Sequence, residues 1–156
     1  MTESNPTRAA DLRWLRFAVE LSHQCPQVDR AYAVGAVVVA ADGTQLATGY
    51  SRETDPVSHA EEVALTKLAG TDEALLRGST LYSSLEPCSQ RASRPRSCTR
   101  LVLDAGIGRV VLAWREPPLF VADAQGTELL RAEGVEVIEI PELADAARAA
   151  NRHLFE

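Results

Sequence analysis

Only three of the 156 residues are cysteine. That is an odd number, and too few for the disulfide framework that staples small secreted domains, so a reducing compartment is expected. No apolar run is long enough to cross a bilayer. The longest, Ala31 to Ala41, is short and interrupted by Gly35. The start, Met1-Thr2-Glu3-Ser4-Asn5, has neither the charged nor the apolar region of a signal peptide, and a cytoplasmic protein with no membrane partner is expected. Positive charge is short as well: the formal net charge is −6 and the pI lies near 5.1. A nucleic-acid partner is therefore not expected, since phosphate contacts need clustered Lys and Arg. Internal repeats, low-complexity stretches and long linkers are absent. With 46% apolar and 24% charged residues, the chain reads as one domain over 1–156, without room for a second catalytic unit and with residues 1–6 disordered.

Against this background four residues stand out. His59 and Glu61 lie in His59-Ala60-Glu61, Cys88 follows Pro87, and Cys98 comes after nine intervening residues. One imidazole and two thiolates suit a zinc ion with three protein ligands, the arrangement that keeps a fourth position for water and so marks a catalytic rather than a structural site. Glu61 is too close in sequence to His59 to be a comfortable second ligand and is placed to carry protons. Two positions along a helix turn the side chain by roughly 200°, so the pair shares a pocket only by leaning over a helix end. Glu61 and Glu62 both complement the dipole of a helix starting there, and for Glu62 that role suffices. Cys25, the spare thiol near the end of an apolar helix, reads as a small buried side chain. His23 and His153 have no ligand partners in view and read as surface residues.

The remaining charge is unevenly spread. Arg91, Arg94, Arg96 and Arg100 fall within ten residues, between and just after the two cysteines. A solvated loop is the plain reading. Because the proposed ligands pin this loop at both ends, its arginines are expected at the pocket mouth, where they would take a phosphate or another anion.

The periodicity gives an architecture. A first helix is expected from Thr7 to Gln24, with Leu12, Leu15, Ala18, Val19 and Ser22 on its buried face. The β-branched run Ala33 to Ala40 and the segment Gln45 to Tyr50 read as antiparallel strands joined by a two-residue turn at Asp42-Gly43. A helix from His59 to Ala69 should be capped by Gly70. The third strand, Thr80 to Ser84, delivers Cys88 at its carboxyl end, where open α/β sheets place ligands. Cys98 to Ala105 reads as a helix closed by Gly106, which puts Cys98 at a helix N-terminus where its thiol should be acidified. Arg109 to Ala113 and Val135 to Ile140 are the last strands, Glu128 to Glu133 a helix between them, and Pro141 to Leu154 a final helix. Together these imply a three-layer α/β/α sandwich around a mixed five-stranded sheet. Pro117-Pro118 marks an irregular loop that could help wall the pocket. Trp114 could stack on a base, though a core position is the commoner fate of such a residue.

The His-x-Glu and Pro-Cys pattern resembles the cytidine deaminase superfamily of zinc deaminases. That signature has two residues between its cysteines, where this chain has nine. The long basic loop, the run Thr80-Leu81-Tyr82-Ser83-Ser84-Leu85-Glu86-Pro87-Cys88-Ser89 and the run Ala105-Gly106-Ile107-Gly108-Arg109-Val110-Val111 are most similar to the deaminase domain of the riboflavin-biosynthesis deaminase/reductase. The resemblance implies His59, Cys88 and Cys98 as zinc ligands and Glu61 as proton shuttle. It also implies Gly35 as the glycine beside the heterocycle, and Arg94 as the best placed of the substrate-binding arginines, Arg91 and Arg96 being the others. The family usually has Asn-Pro where this chain has Ala31-Tyr32, and a histidine at Gln90.

The function these signs imply is hydrolytic deamination of an aminopyrimidine, first among them a ribose-phosphate-linked one as in riboflavin biosynthesis. Cytidine, deoxycytidylate or a free nucleobase is the alternative substrate. A non-catalytic zinc protein is the rival of another class, to be told apart by a fourth protein ligand. By family habit the chain should assemble as a dimer or tetramer.

Overall fold

Dense β-branching in Gly35–Val39 (β1) suits a strand covered on both faces, and all five of its residues are buried. β1 pairs antiparallel with Gln45–Tyr50 (β2) on one side and with Thr80–Ser83 (β3) on the other. Arg109–Leu112 (β4) and Glu136–Glu139 (β5) then add in parallel, giving the order β2-β1-β3-β4-β5. The computed structural model describes residues 4–120 and 124–155. The sheet is mixed and five-stranded, as expected from the sequence, and helices cover both faces. Ser4–Ser22 (α1) and Ala144–Ala149 (α6) pack together on one side; Ala60–Thr66 (α2), Cys98–Ala105 (α4) and Gly126–Ala132 (α5) form the other layer.

Two glycines set how closely helices approach the sheet. A Cβ on Gly35 would lie 1.9 Å from the carbonyl oxygen of Ala18 in α1, and one on Gly49 would lie 2.3 Å from that of Ala60 in α2. Helix α1 is tied down further by a buried polar junction. Asp11 accepts from the Tyr82 hydroxyl at 2.7 Å and from the Arg109 guanidinium at 2.8 and 2.7 Å. Burial would raise the Asp11 carboxyl, but the Arg109 and Tyr82 hydrogen bonds outweigh it and hold the group below its ordinary value.

Several elements depart from the sequence reading. Ala40 donates to the Thr44 carbonyl across a loop of Ala41, Asp42 and Gly43, so the hairpin has three residues with Gly43 left-handed at φ 91°, not two. A short helix, Glu73–Arg77 (α3), was missed, although Asp72 caps it by accepting from the Leu75 N–H. The expected final helix is broken into a 3-10 turn at Pro141–Leu143, α6, and a second 3-10 turn at Arg152–Leu154. The second break comes where Asn151 leaves the helical path to clamp the entry to β1. Its oxygen accepts the Ala33 N–H at 2.6 Å and its amide donates to the Ala33 and Ala147 carbonyls. The backbone of Ser4 to Pro6 is helical where disorder was expected; Met1 to Glu3 lie outside the described residues.

Cys25 is buried and unpaired, its thiol pushed up by burial, as a small core side chain should be. His23 is exposed and meets the Ala146 carbonyl, while His153 is half-buried against the Val28 carbonyl at 2.9 Å. Trp114 is core, edge-on to Tyr32 and under the Arg148 guanidinium, and not a base platform.

Candidate metal centre and active-site cavity

His59 is the residue before α2, not its first turn: at φ −96° and ψ 154° it is extended. The helical-wheel separation from Glu61 therefore does not apply, and both side chains line one cavity. Cys88 follows β3 and Cys98 opens α4. One donor atom from each of His59, Cys88 and Cys98 lies within 4.8 Å of the others, with His59 Nδ1 3.3 Å from Cys98 Sγ and 3.6 Å from Cys88 Sγ. Such an N/S donor set at this separation fits a zinc ion. Among the described residues no fourth His, Cys, Asp or Glu joins the group, and the cavity opens directly onto His59, Cys88 and Glu61.

The helix N-terminus at α4 acts differently from expectation. The free Cys98 N–H points at Cys88 Sγ, 3.2 Å away, so this helix end adds its support to the Cys88 thiolate. The Cys98 contacts, with His59, bring the Cys88 thiol down to about 4. Cys98, fully buried and bonded to Cys88, is pushed up. Thr99 completes the junction, donating its N–H to the Cys88 carbonyl and its hydroxyl to that of Pro87.

Glu61 is 3% exposed, and burial together with the neighbouring Cys88 charge raises its carboxyl above the ordinary value. Ser83 Oγ lies 3.1 Å from Glu61 Oε2 and 2.7 Å from the Leu85 carbonyl. A single hydroxyl proton cannot serve both. The carbonyl can only accept, so the shorter contact takes the Ser83 proton, and the longer one is satisfied best when Glu61 holds a proton of its own.

Glu62 does more than answer the helix dipole. It accepts the His59 N–H, and its carboxylate binds Arg91 at 2.7 Å and Arg94 at 2.9 Å. Arg94 also bonds Asp55 at 2.6 Å, and Arg96, 63% exposed, bonds Asp104 on α4. Of the three named loop arginines only Arg91 lines the metal cavity, with a side chain 2% exposed; Arg94 and Arg96 do not. Gly35 does not line it either: its missing side chain makes room for α1, on the other face of the strand. The sequence reading missed Glu116 and Glu86, although the acid directly before Pro117-Pro118 at the end of β4 was a visible signal. Glu86 is buried, holding Thr127 and the Glu116 N–H. Glu116 lines the cavity, its Oε1 buried without a partner among the described residues. Burial and the negative surroundings of Cys88, Glu86 and Glu61 push its carboxyl up to about 8. Tyr32 and Phe120, edge to face at 5.1 Å, close the apolar side, and the Tyr32 hydroxyl donates to the Pro117 carbonyl. The enclosed volume is about 490 Å³, of the size that takes a nucleotide-like ligand.

A family model described as the cytidine and deoxycytidylate deaminase zinc-binding region matches residues 8–114. The chain belongs to that family. Its cofactor is zinc. A diaminohydroxyphosphoribosylamino-pyrimidine deaminase of Schizosaccharomyces pombe is 42% identical over 125 residues, covering 78% of this chain and 30% of the relative. The riboflavin biosynthesis protein RibD of Aquifex aeolicus is 31% identical over 149 residues, 95% of this chain and 39% of the relative. The chain thus spans about a third of the length of these curated relatives. Among solved structures, a diaminohydroxyphosphoribosylaminopyrimidine deaminase/5-amino-6-(5-phosphoribosylamino)uracil reductase from Thermotoga maritima superposes with a TM-score of 0.80 at 31% identity, over 94% of this chain and 40% of that one. A dCMP deaminase from the cyanophage S-TIM5, in complex with dCMP and dUMP, reaches 0.62 at 26% identity, over 90% and 99%. The resemblance seen in the sequence and the deaminase fold are therefore both shown.

Proposed function

We propose that the chain is a zinc-dependent hydrolytic deaminase of an aminopyrimidine, with a ribose-phosphate-linked pyrimidine of riboflavin biosynthesis as substrate. The observation that carries the reading is the buried carboxyl group of Glu61 on the open side of a His59, Cys88 and Cys98 donor set. Zinc bound there supplies a Lewis acid that makes water an attacking group near neutral pH. Glu61 would take a proton from the attacking water and hand it to the ring nitrogen beside the amino-bearing carbon, then take a second from the added hydroxyl and hand it to the amino group as it leaves as ammonia. Glu116 offers an unpartnered oxygen to the polar edge of the ring, and Tyr32 and Phe120 exclude water along its apolar side. The pyrimidine deaminases among the relatives of known sequence and structure support the substrate class.

Ammonia release from zinc-loaded protein, screened over the ribose-phosphate-linked diaminopyrimidine, deoxycytidylate, cytidine and free bases, tests this. The first should turn over fastest. Preference for deoxycytidylate would move the substrate, and no release from any of them would leave a non-catalytic zinc protein. A cytoplasmic location and a dimer or tetramer belong to the same reading on family analogy, and light scattering checks the assembly. No described helix is long and apolar enough to cross a membrane.

A further inference from the structure

A cation at a binding site can serve an incoming anion only if it is not already committed. By that criterion Arg94 and Arg96 are poor anion receptors. Arg91 and Arg94 share the Glu62 carboxylate, Arg94 also holds Asp55, and Arg96 holds Asp104. Any phosphate drawn to Arg94 or Arg96 must displace a carboxylate at hydrogen-bond distance. Arg94 is spent on Glu62 and Asp55 and Arg96 on Asp104, while Arg91, though tied to Glu62, keeps its Nη1 buried without a partner among the described residues.

Two other guanidinium groups line the same cavity and have no carboxylate partner among the described residues. Arg30 is exposed, with no side-chain hydrogen bond or ion pair to any described residue. Arg52 is half-buried, and its bonds all go to neutral carbonyls: Nε and one terminal nitrogen to Pro26 at 3.2 and 2.7 Å, the other to Tyr32 at 3.2 Å. A guanidinium has more N–H groups than these three contacts use. Arg52 also adopts φ 63°, the one left-handed non-glycine among the described residues, and its carbonyl contacts are what hold it there. They fix the segment that carries Arg30, which is tied a second time where His153 meets the Val28 carbonyl. The adjacent acid, Asp29, is not part of the cavity lining.

We propose that Arg30, on the segment braced by Arg52, forms an anion subsite at the mouth of the metal cavity and receives the phosphate of a phosphorylated substrate, while Arg94 and Arg96 act as ties within the chain. The proposal deepens the deaminase reading by assigning the phosphate end of the ligand to the side of the mouth opposite in origin from the cysteine loop. The brace places the backbone that carries Arg30, and its guanidinium displaces no partner when it binds an anion.

The test is calorimetric titration of the zinc-loaded full chain with ribose 5-phosphate, and with ribose as the uncharged control. Neither probe carries a base, so neither can turn over. Arg30→Glu should weaken ribose 5-phosphate at least tenfold. Arg16→Glu, the same charge change on an exposed part of α1, should alter it less than twofold, and Arg94→Glu should leave most of the preference for phosphate over ribose. The proposal is overturned if ribose 5-phosphate binds no better than ribose to the parent protein, if Arg30→Glu binds like the parent at equal zinc content, or if Arg94→Glu alone takes the loss. Binding that depends on Arg30, in a protein that releases ammonia from no pyrimidine, would sink the deaminase reading and leave the subsite standing.

Discussion

The floor and the rim of the cavity are built on different principles. The floor, made by His59, Glu61, Ser83, Cys88 and Cys98, sits at the ends of regular elements and is held by backbone geometry: an extended residue before α2, the end of β3, the first N–H of α4. The rim, made by residues 28–32, 52–58, 90–96 and 116–120, is loop, and side-chain ties hold it. Arg52 reaches back to Pro26, Tyr32 reaches Pro117, and Glu62 gathers Arg91 and Arg94. The chemistry is thus placed by secondary structure and the selectivity by long-range polar contacts, so changes in the two regions should separate cleanly into lost rate and altered binding or stability.

The largest separation is expected at Glu61→Gln. Ammonia release should fall about 10²–10⁴-fold while zinc content and melting temperature hold, because the amide keeps the shape of the carboxyl but cannot shuttle protons. Equal activity with zinc present would break the contrast at its centre. Next comes Glu62→Ala, which strands the nearly buried Arg91 charge. Chemical denaturation should show a loss of about 3 kcal/mol, the low end for an uncompensated buried partner. Proteolysis between residues 89 and 97 should speed up with it. Gly35→Ala tests the fold beneath the floor: a methyl group 1.9 Å from the Ala18 carbonyl forces α1 outward, at about 1–3 kcal/mol read in the same way. An unchanged melting temperature there would mean that α1 yields freely.

A smaller effect is expected on acidification. Asp11 has a folded pKa held below its unfolded value of about 3.9. Its contribution is therefore complete above that value and is lost as pH falls through the lower, folded one. Asp11→Asn should be less stable at neutral pH and should show a flatter loss below about pH 4. A parallel shift at every pH would put the junction's worth in packing and not in charge. The smallest effect belongs to Arg96→Ala, whose partner is a surface aspartate: stability should move by less than about 0.5 kcal/mol.

The same contrast explains what could be read from the sequence. Strands β1 to β5, helix α4 with its left-handed Gly106 cap, the metal donors and Glu61 are legible because each rests on local signals: β-branched runs, a capping glycine, a short spacing. The rim was misjudged because its ties join residues far apart in sequence. Nothing local says that Arg94 will find Asp55 and Glu62, or that Gly35 is small for the sake of Ala18 and not of a ligand. Which sulfur the helix end at Cys98 would face was illegible for a related reason. The helix end at Cys98 was legible, but the direction of its N–H toward Cys88 depends on how the intervening loop folds back.

Asn151 clamps both backbone groups of Ala33, 118 positions earlier, at the entry to β1 and beside Tyr32 in the cavity wall. A polypeptide leaves the ribosome amino end first. The sheet from β2 to β4 can pair early, but the wall next to the metal waits for an amide made more than a hundred residues later. Until that amide arrives, the metal donors stand beside an unfinished opening, so the wall of the cavity closes only after Asn151 has been made.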